Sequence, residues 1–584
     1  MTDRSDIPTS HRWDITALFS AEEDWKSEKE AVRNSIDELR ADIDSAPLDE
    51  SEELGAVLDR YATVLTRVEA VEMYIRLQRF VRQDDESLAR RHARMRQLLR
   101  TANELGDCLE CRLRGLSDET VRKAITESET VAEYRQYLSD LRQTSVSPAV
   151  EAAVSEFDSV VSAPEDIHDI YTSTALDTVE IELDGERIDL LRGNYISLLR
   201  NEPRDVRRAA YRALSDKLYE NRTVLDVLFK HHLNALDAQA RSRGYDSALD
   251  ESDIPPPVYD RTLKALERRI ESHERHLAVK RRALGVDDLS PWDLFVLPAD
   301  SAELSVSFDQ AREYILESVS VLGDEYRDRL AHGFESRWID VMPHNGKRAR
   351  PCCLRPYVGN PYVLLNFTGD IDSLYTMVHE LGHAMHMDMA ARCQPYVYAS
   401  VPTLLGEVAS TMHEILLSEY LCDELDGQAR AYVRSRYAEL LRTRLFRHGM
   451  AARFEQRAHE RVAETGPVRG NDLHELYRRL QRSFFPTVRF DGESDASWTK
   501  IEHLYTPFQM FTYTAGTVVA LTLVDRAHSG ESGWLAELFG NGTRLTGHEL
   551  LTDVGIDLRD SSAVETAIER YVSIVESVED EVNY

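Results

Sequence analysis

The segment His379-Glu380-Leu-Gly-His383 has residue types and spacing that suit metal chemistry. Residues four apart lie on one face of a helix, so both imidazoles can reach a single ion at roughly 2.0–2.1 Å per bond. Glu380 stands about 100° round that helix, placed to accept a proton from an attacking water rather than to add a third bond. No proline interrupts the stretch, Leu374, Met377 and Leu381 supply a packing stripe, and Asp370 and Asp372 suit the N-terminal cap. A catalytic zinc usually takes three protein ligands and leaves its fourth place to water. His386 shares the face of His379 but lies seven residues on, about 10.5 Å along the axis, so three histidines of a straight helix cannot converge. It is expected instead to orient a ligand or to contact substrate. A histidine ten residues after His379 would also serve, but Met389 stands there. A carboxylate from a later helix remains: Glu407, with Glu414 seven further on the same face as an acceptor for a ligand imidazole. The expected set is His379, His383 and Glu407 around one Zn2+, with Glu380 as general base.

The elements that must hold these residues are mainly helical in rhythm. Over 22–165, Val57, Leu58, Tyr61, Val64, Leu65, Val68, Val71 and Ile75 fall three and four apart and paint one apolar stripe. The period then changes: 179–183 and 186–190 alternate about Asp184-Gly185, which predicts a hairpin. Helical patterns resume over 202–284, with Pro255-Pro256-Pro257 as a helix start or a break. The apolar runs 338–342 and 362–367, bounded by Pro, Gly and Asn, predict strands just before the HExxH segment. Long helical patterns follow almost to the end.

Composition narrows the classes. A chain of 584 residues exceeds one compact core, so two or more lobes are expected. No apolar run is long enough to span a bilayer, and the acidic start does not resemble a secretory signal, so a cytoplasmic protein is expected. The net charge of −33 opposes binding to nucleic acid or to an anionic membrane. Only nine lysines stand against sixty-one arginines, an acidic, lysine-poor balance that points to a salt-accumulating cytoplasm. Six scattered cysteines, including Cys108-Leu-Glu-Cys111, make no disulfide framework and are expected to be mostly buried thiols.

Several stretches together carry a resemblance. Asn366-Phe-Thr-Gly369, His379 to His386, Glu407-Val-Ala-Ser-Thr411, Asn345-Gly-Lys-Arg348, Trp13 to Phe19, and His503-Leu-Tyr505-Thr-Pro-Phe508 through Tyr513-Thr-Ala-Gly516 occur in order along nearly the whole chain. They are similar to motifs of the oligoendopeptidase F branch of the thimet-oligopeptidase family of zinc peptidases. The resemblance implies a two-lobed, mainly α-helical ellipsoid with a deep central substrate channel and a small β-sheet near the active site. It implies cleavage of internal bonds of short peptides, with folded proteins spared. His379, His383 and Glu407 would bind zinc, Glu380 would be the base, and His503 and Tyr513 would bind substrate or stabilise the oxyanion. Tyr505 would line the same wall. Gln509, Phe511 and Thr512 stand where relatives tend to carry tyrosines. The expected division is a helical lobe over 1–190 and a peptidase domain over 191–584. The strand 362–367 would offer an edge to an extended peptide. A rival within zinc peptidases is an exopeptidase using Arg348, Arg350 or Arg355 to hold a terminal charge.

Overall fold

The computed structural model describes residues 2–582 apart from 144–145, 147–149, 152, 155–156, 177–178, 184, 191, 201–202 and 300–303. The chain builds two units that interleave in sequence. One comprises Met1–Ala152, Ser305–Pro402 and Ala527–Val554, the other Ala153–Leu304, Thr403–Arg526 and Gly555–Tyr584. Both are mainly helical, as the periodicity predicts. Among the described residues no helix is long and apolar enough to cross a membrane.

In the first unit, helices Glu22–Ser45, Ser51–Phe80 and Glu86–Arg114 pack on one another. The predicted stripe makes that core: Val57, Leu58, Val64, Val68, Val71 and Ile75 are buried, with Tyr61 and Leu65 partly so. Trp25 enters from the first helix and donates its indole N–H to the Val71 carbonyl at 2.9 Å, so its polar edge is satisfied inside the core. The cysteines are free, as expected, but the buried-thiol reading needs correction. Cys111 and Cys393 are exposed and the other four are half-buried. Cys111 falls on the opposite face from Leu105, Leu109 and Leu113, which face the core of the same helix.

The unit also holds a small sheet of β3 (Ile339–Asp340), β4 (Cys352–Leu354) and β5 (Tyr362–Leu364), numbered after the hairpin strands below. Their order is β3-β5-β4, with β5 parallel to β3 and antiparallel to β4. This overturns the expectation of an open edge at 362–367: β5 is the central strand, bonded on both sides. Its unbroken burial suits that place, because a covered central strand does not alternate. The edges belong to β3 and to β4, the latter a strand hidden in the sequence among prolines and arginines. Helix Ile371–Cys393 packs on β4 and β5 and on the short helix Trp534–Phe539.

The second unit holds the expected hairpin, β1 (Glu180–Leu183) and β2 (Glu186–Asp189), in register Ile181 to Ile188. Gly185 takes φ 83°, which glycine adopts at no steric cost; Asp184 of that turn lies outside the described residues. The proline run proves to be a helix start, with Pro255 as cap of Pro256–Glu267. Helices Val408–Glu424, Gly427–Arg442, His448–Thr465 and Gln509–His528 carry the residues discussed below. Between the second and third of these, Thr443–Arg447 forms a π-helical turn.

Candidate metal centre

Asp370 starts the HExxH helix. Its carboxylate accepts the Ser373 N–H at 2.7 Å and the Thr368 hydroxyl at 2.7 Å. Burial would raise its pKa, but these bonds hold the carboxyl below the ordinary range, as suits an acid at a helix N-terminus. Leu374, Met377 and Leu381 are fully buried and fix the helix rotation. That leaves His379 and His383 on a half-buried face, with their Nε2 atoms 3.2 Å apart and their rings nearly perpendicular. Two atoms each about 2.0–2.1 Å from one tetrahedral ion stand roughly 3.3 Å apart. The pair is therefore spaced as two ligands of a single zinc, and an N–H···N bond serves the same spacing when no ion is bound.

Glu380 is 8% exposed on the neighbouring face. Its charge is felt on β4: burial first, then the Glu380 carboxylate, pushes the Cys353 thiol well up, and the same causes bring Cys352 to about 11. Both thiols stay protonated at neutral pH and do not compete for metal. His386 is buried. Its ring stands 4.4 Å from Phe539, and neither ring nitrogen has a hydrogen-bond partner among the described residues. Burial, helped by His383, pulls its pKa to about 3, so the ring is neutral.

In the second unit, Glu407 is buried and sits at the N-cap of Val408–Glu424, one residue outside the helix rather than within it. Its carboxylate accepts the Ser410 hydroxyl at 3.1 Å and meets the Gln509 amide at 3.5 Å. Gln509 thus supplies a donor to the expected ligand. Glu414, expected beside a ligand imidazole, accepts from Arg444 Nη2 at 2.9 Å, and Arg444 Nη1 lies 3.6 Å from Glu407. Burial alone would lower the Arg444 pKa, but Glu414 and Glu407 hold it above its ordinary value. Gly516 closes the arrangement: a Cβ there would stand 3.3 Å from the Glu407 backbone and Cβ, a tight contact that the glycine hydrogen avoids.

Arg444 was invisible to sequence reasoning, one arginine among sixty-one. Its guanidinium lies over the Tyr513 ring at 4.9 Å, and its carbonyl accepts the Thr514 hydroxyl at 2.9 Å. The π turn that carries it is the kind of helix irregularity that gathers at functional sites. The Tyr513 hydroxyl in turn stands 3.5 Å from His503 Nε2. Glu407, Glu414, Arg444, Tyr513 and His503 therefore form one connected group. Tyr505 is not brought into it: buried, it packs against His168, Phe229 and His232 with ring centroids 4.4–5.5 Å away.

Residues 197–569 match Peptidase family M3. The chain belongs to that family. This M3 peptidase is 25% identical over 590 residues to an oligoendopeptidase F homolog of Lactococcus lactis subsp. lactis (strain IL1403), covering 99% of this chain and 98% of that one. It is 25% identical to the oligopeptidase PepF of Bacillus subtilis (strain 168), covering 99% and 88%. Its fold is that of oligoendopeptidase-F from Enterococcus faecium (TM-score 0.72, 20% identity, 95% and 99% covered). A solved peptidase-type chain from Chlamydophila abortus shares it as well (TM-score 0.82, 22% identity, 99% of each covered).

Proposed function

We propose that this M3 peptidase is a zinc-dependent endopeptidase that hydrolyses internal bonds of short oligopeptides in the cytoplasm. The observation that carries the reading is the 3.2 Å spacing of the His379 and His383 Nε2 atoms on one helical face. In support, His379 and His383 share one half-buried helical face of the first unit, and the second unit supplies the buried Glu407 carboxylate. Two imidazoles and a carboxylate are a donor set that suits one zinc with an open place. Zinc held there supplies polarisation of the scissile carbonyl and acidifies water toward a pKa of about 7. Glu380 takes the water's proton during attack and passes it to the leaving amine. Tyr513 and His503 donate to the developing oxyanion. The open edge of β4, next to Glu380, takes an extended peptide as an added strand. Short peptides as substrates are supported by the names of the relatives, oligoendopeptidase F and oligopeptidase.

The test is a series of peptides of increasing length, blocked at both ends and digested with and without a chelator, with products identified by mass spectrometry. Internal cleavage that the chelator abolishes and zinc restores is the expected result. Trimming that requires a free terminus would make the exopeptidase the correct reading.

A further inference from the structure

The second unit holds a cleft of about 420 Å³ that the catalytic reading leaves unused. Ile196, Leu214, Leu218 and Phe295 give it apolar walls, while Arg447, Lys500 and Tyr195 bring polar atoms and His503 lies on its margin. What sets it apart is its charge. Elsewhere in this unit, buried cations are matched by acids. Lys280 meets Glu439 at 2.8 Å, Arg444 meets Glu414 at 2.9 Å, and Arg453 meets Asp260 at 3.0 Å and Glu267 at 2.7 Å. Such pairing is what burial demands. Arg447 and Lys500 break the pattern. Each is half-buried over an aromatic ring, Phe295 at 5.3 Å and Tyr211 at 5.1 Å, and neither forms an ion pair with a carboxylate among the described residues, Glu439 acting on Arg447 only from farther off. The Tyr195 hydroxyl, on a side chain 7% exposed, also has no hydrogen-bond partner there. Glu502 lines the cleft too, 4.0 Å from His503 Nε2, so two basic side chains face one acid. His448, also on the wall, is kept neutral by burial and by the charges of Arg444 and Arg447.

Two unmatched cations and an idle hydroxyl in an apolar cleft are the complement of a carboxylate carried on an apolar stem. We propose that this cleft is a specificity subsite for a carboxylate of the peptide, either an acidic side chain or the free C-terminus, seated between Arg447 and Lys500. The inference rests on the peptidase reading above. His503 connects the two, since it borders the cleft and its Nε2 stands 3.5 Å from the Tyr513 hydroxyl. Burial, with Arg447 nearby, pulls the Lys500 ammonium down to about 7, and an incoming carboxylate would restore its charge.

The test uses the full-length enzyme and fluorogenic peptides in matched pairs. One set carries Glu or Gln at each position in turn with both ends blocked; a second carries a free or an amidated C-terminus. A carboxylate should be preferred over its amide at one position, or at the C-terminus, by roughly ten- to hundredfold in kcat/KM. The set that shows the preference identifies the source. Lys500→Met and Arg447→Met should each bring that ratio towards one, and Lys500→Glu should favour a basic residue at the same position. The ratio is taken within each variant, so a general loss of activity cancels. No preference above about twofold in the wild type, or a preference that survives Lys500→Met, overturns the subsite. If no peptide is cut at all, the endopeptidase reading fails on its own. The subsite is then decided by fluorescence anisotropy of the same Glu and Gln peptides binding to Glu380→Gln protein.

Discussion

At the scale of single residues, metal binding and proton transfer separate. Glu380→Gln keeps the helix and both imidazoles but replaces an acceptor with an amide. It should retain about one zinc per chain by mass spectrometry while turnover falls about 10²–10⁴-fold. Glu407→Ala removes the proposed third ligand and should lose the zinc itself. Near-normal turnover in Glu380→Gln would remove it as the base. Tyr513 offers a sharper case, because its hydroxyl stands beside His503 while its ring is held by Arg444. Tyr513→Phe leaves the ring in place, so kcat and kcat/KM should fall together by about 10²–10³-fold. A change confined to KM would make the hydroxyl a contact of the bound substrate instead.

At the scale of elements, the π turn Thr443–Arg447 does what a regular helix would not. It delivers Arg444 to Glu414 at 2.9 Å and towards Glu407 at 3.6 Å while its neighbour Arg447 faces the cleft. All three charged groups of the first cluster are at least nine-tenths buried, so the balance among them matters more than at the surface. Arg444→Met would leave two buried carboxylates without their cation. Breaking a buried pair this way costs about 3–5 kcal/mol. A lower denaturation midpoint with an unchanged urea slope is the expected readout, with partial recovery in Arg444→Lys. A midpoint equal to the wild type would show that water or another group already neutralises the acids.

At the scale of the whole molecule, the charge of −33 sets the response to salt. Carboxylates that repel one another across the surface are screened as ionic strength rises, since the screening length falls from about 10 Å at 0.1 M to about 3 Å at 1 M. The melting temperature and peptide turnover should therefore rise from low to molar KCl. A melting temperature that stays flat or falls would remove the salt-adapted reading. Exposed Arg–carboxylate pairs such as Arg90–Glu86 and Arg33–Glu30 work against the trend only weakly, because such pairs contribute little to begin with.

What was legible in the sequence was local. The HExxH helix, its Asp370 cap, the stripe through Ser51–Phe80 and the β1–β2 hairpin all follow from contacts between residues no more than nine apart, and those spacings are written in the chain. Tertiary structure decided the rest. Glu407 became a cap residue outside its helix, and the donor that meets Glu414 proved to be an arginine 30 residues away. The run at 362–367 became a central strand because β4 and β3 arrive from elsewhere in the chain to pair with it. Tyr505 and Tyr513, eight residues apart and of one type, parted company. One packs against His168, Phe229 and His232, the other meets Arg444 and His503. No local pattern separates such a pair, since the side chains that receive them come from distant helices and meet them only once those helices pack.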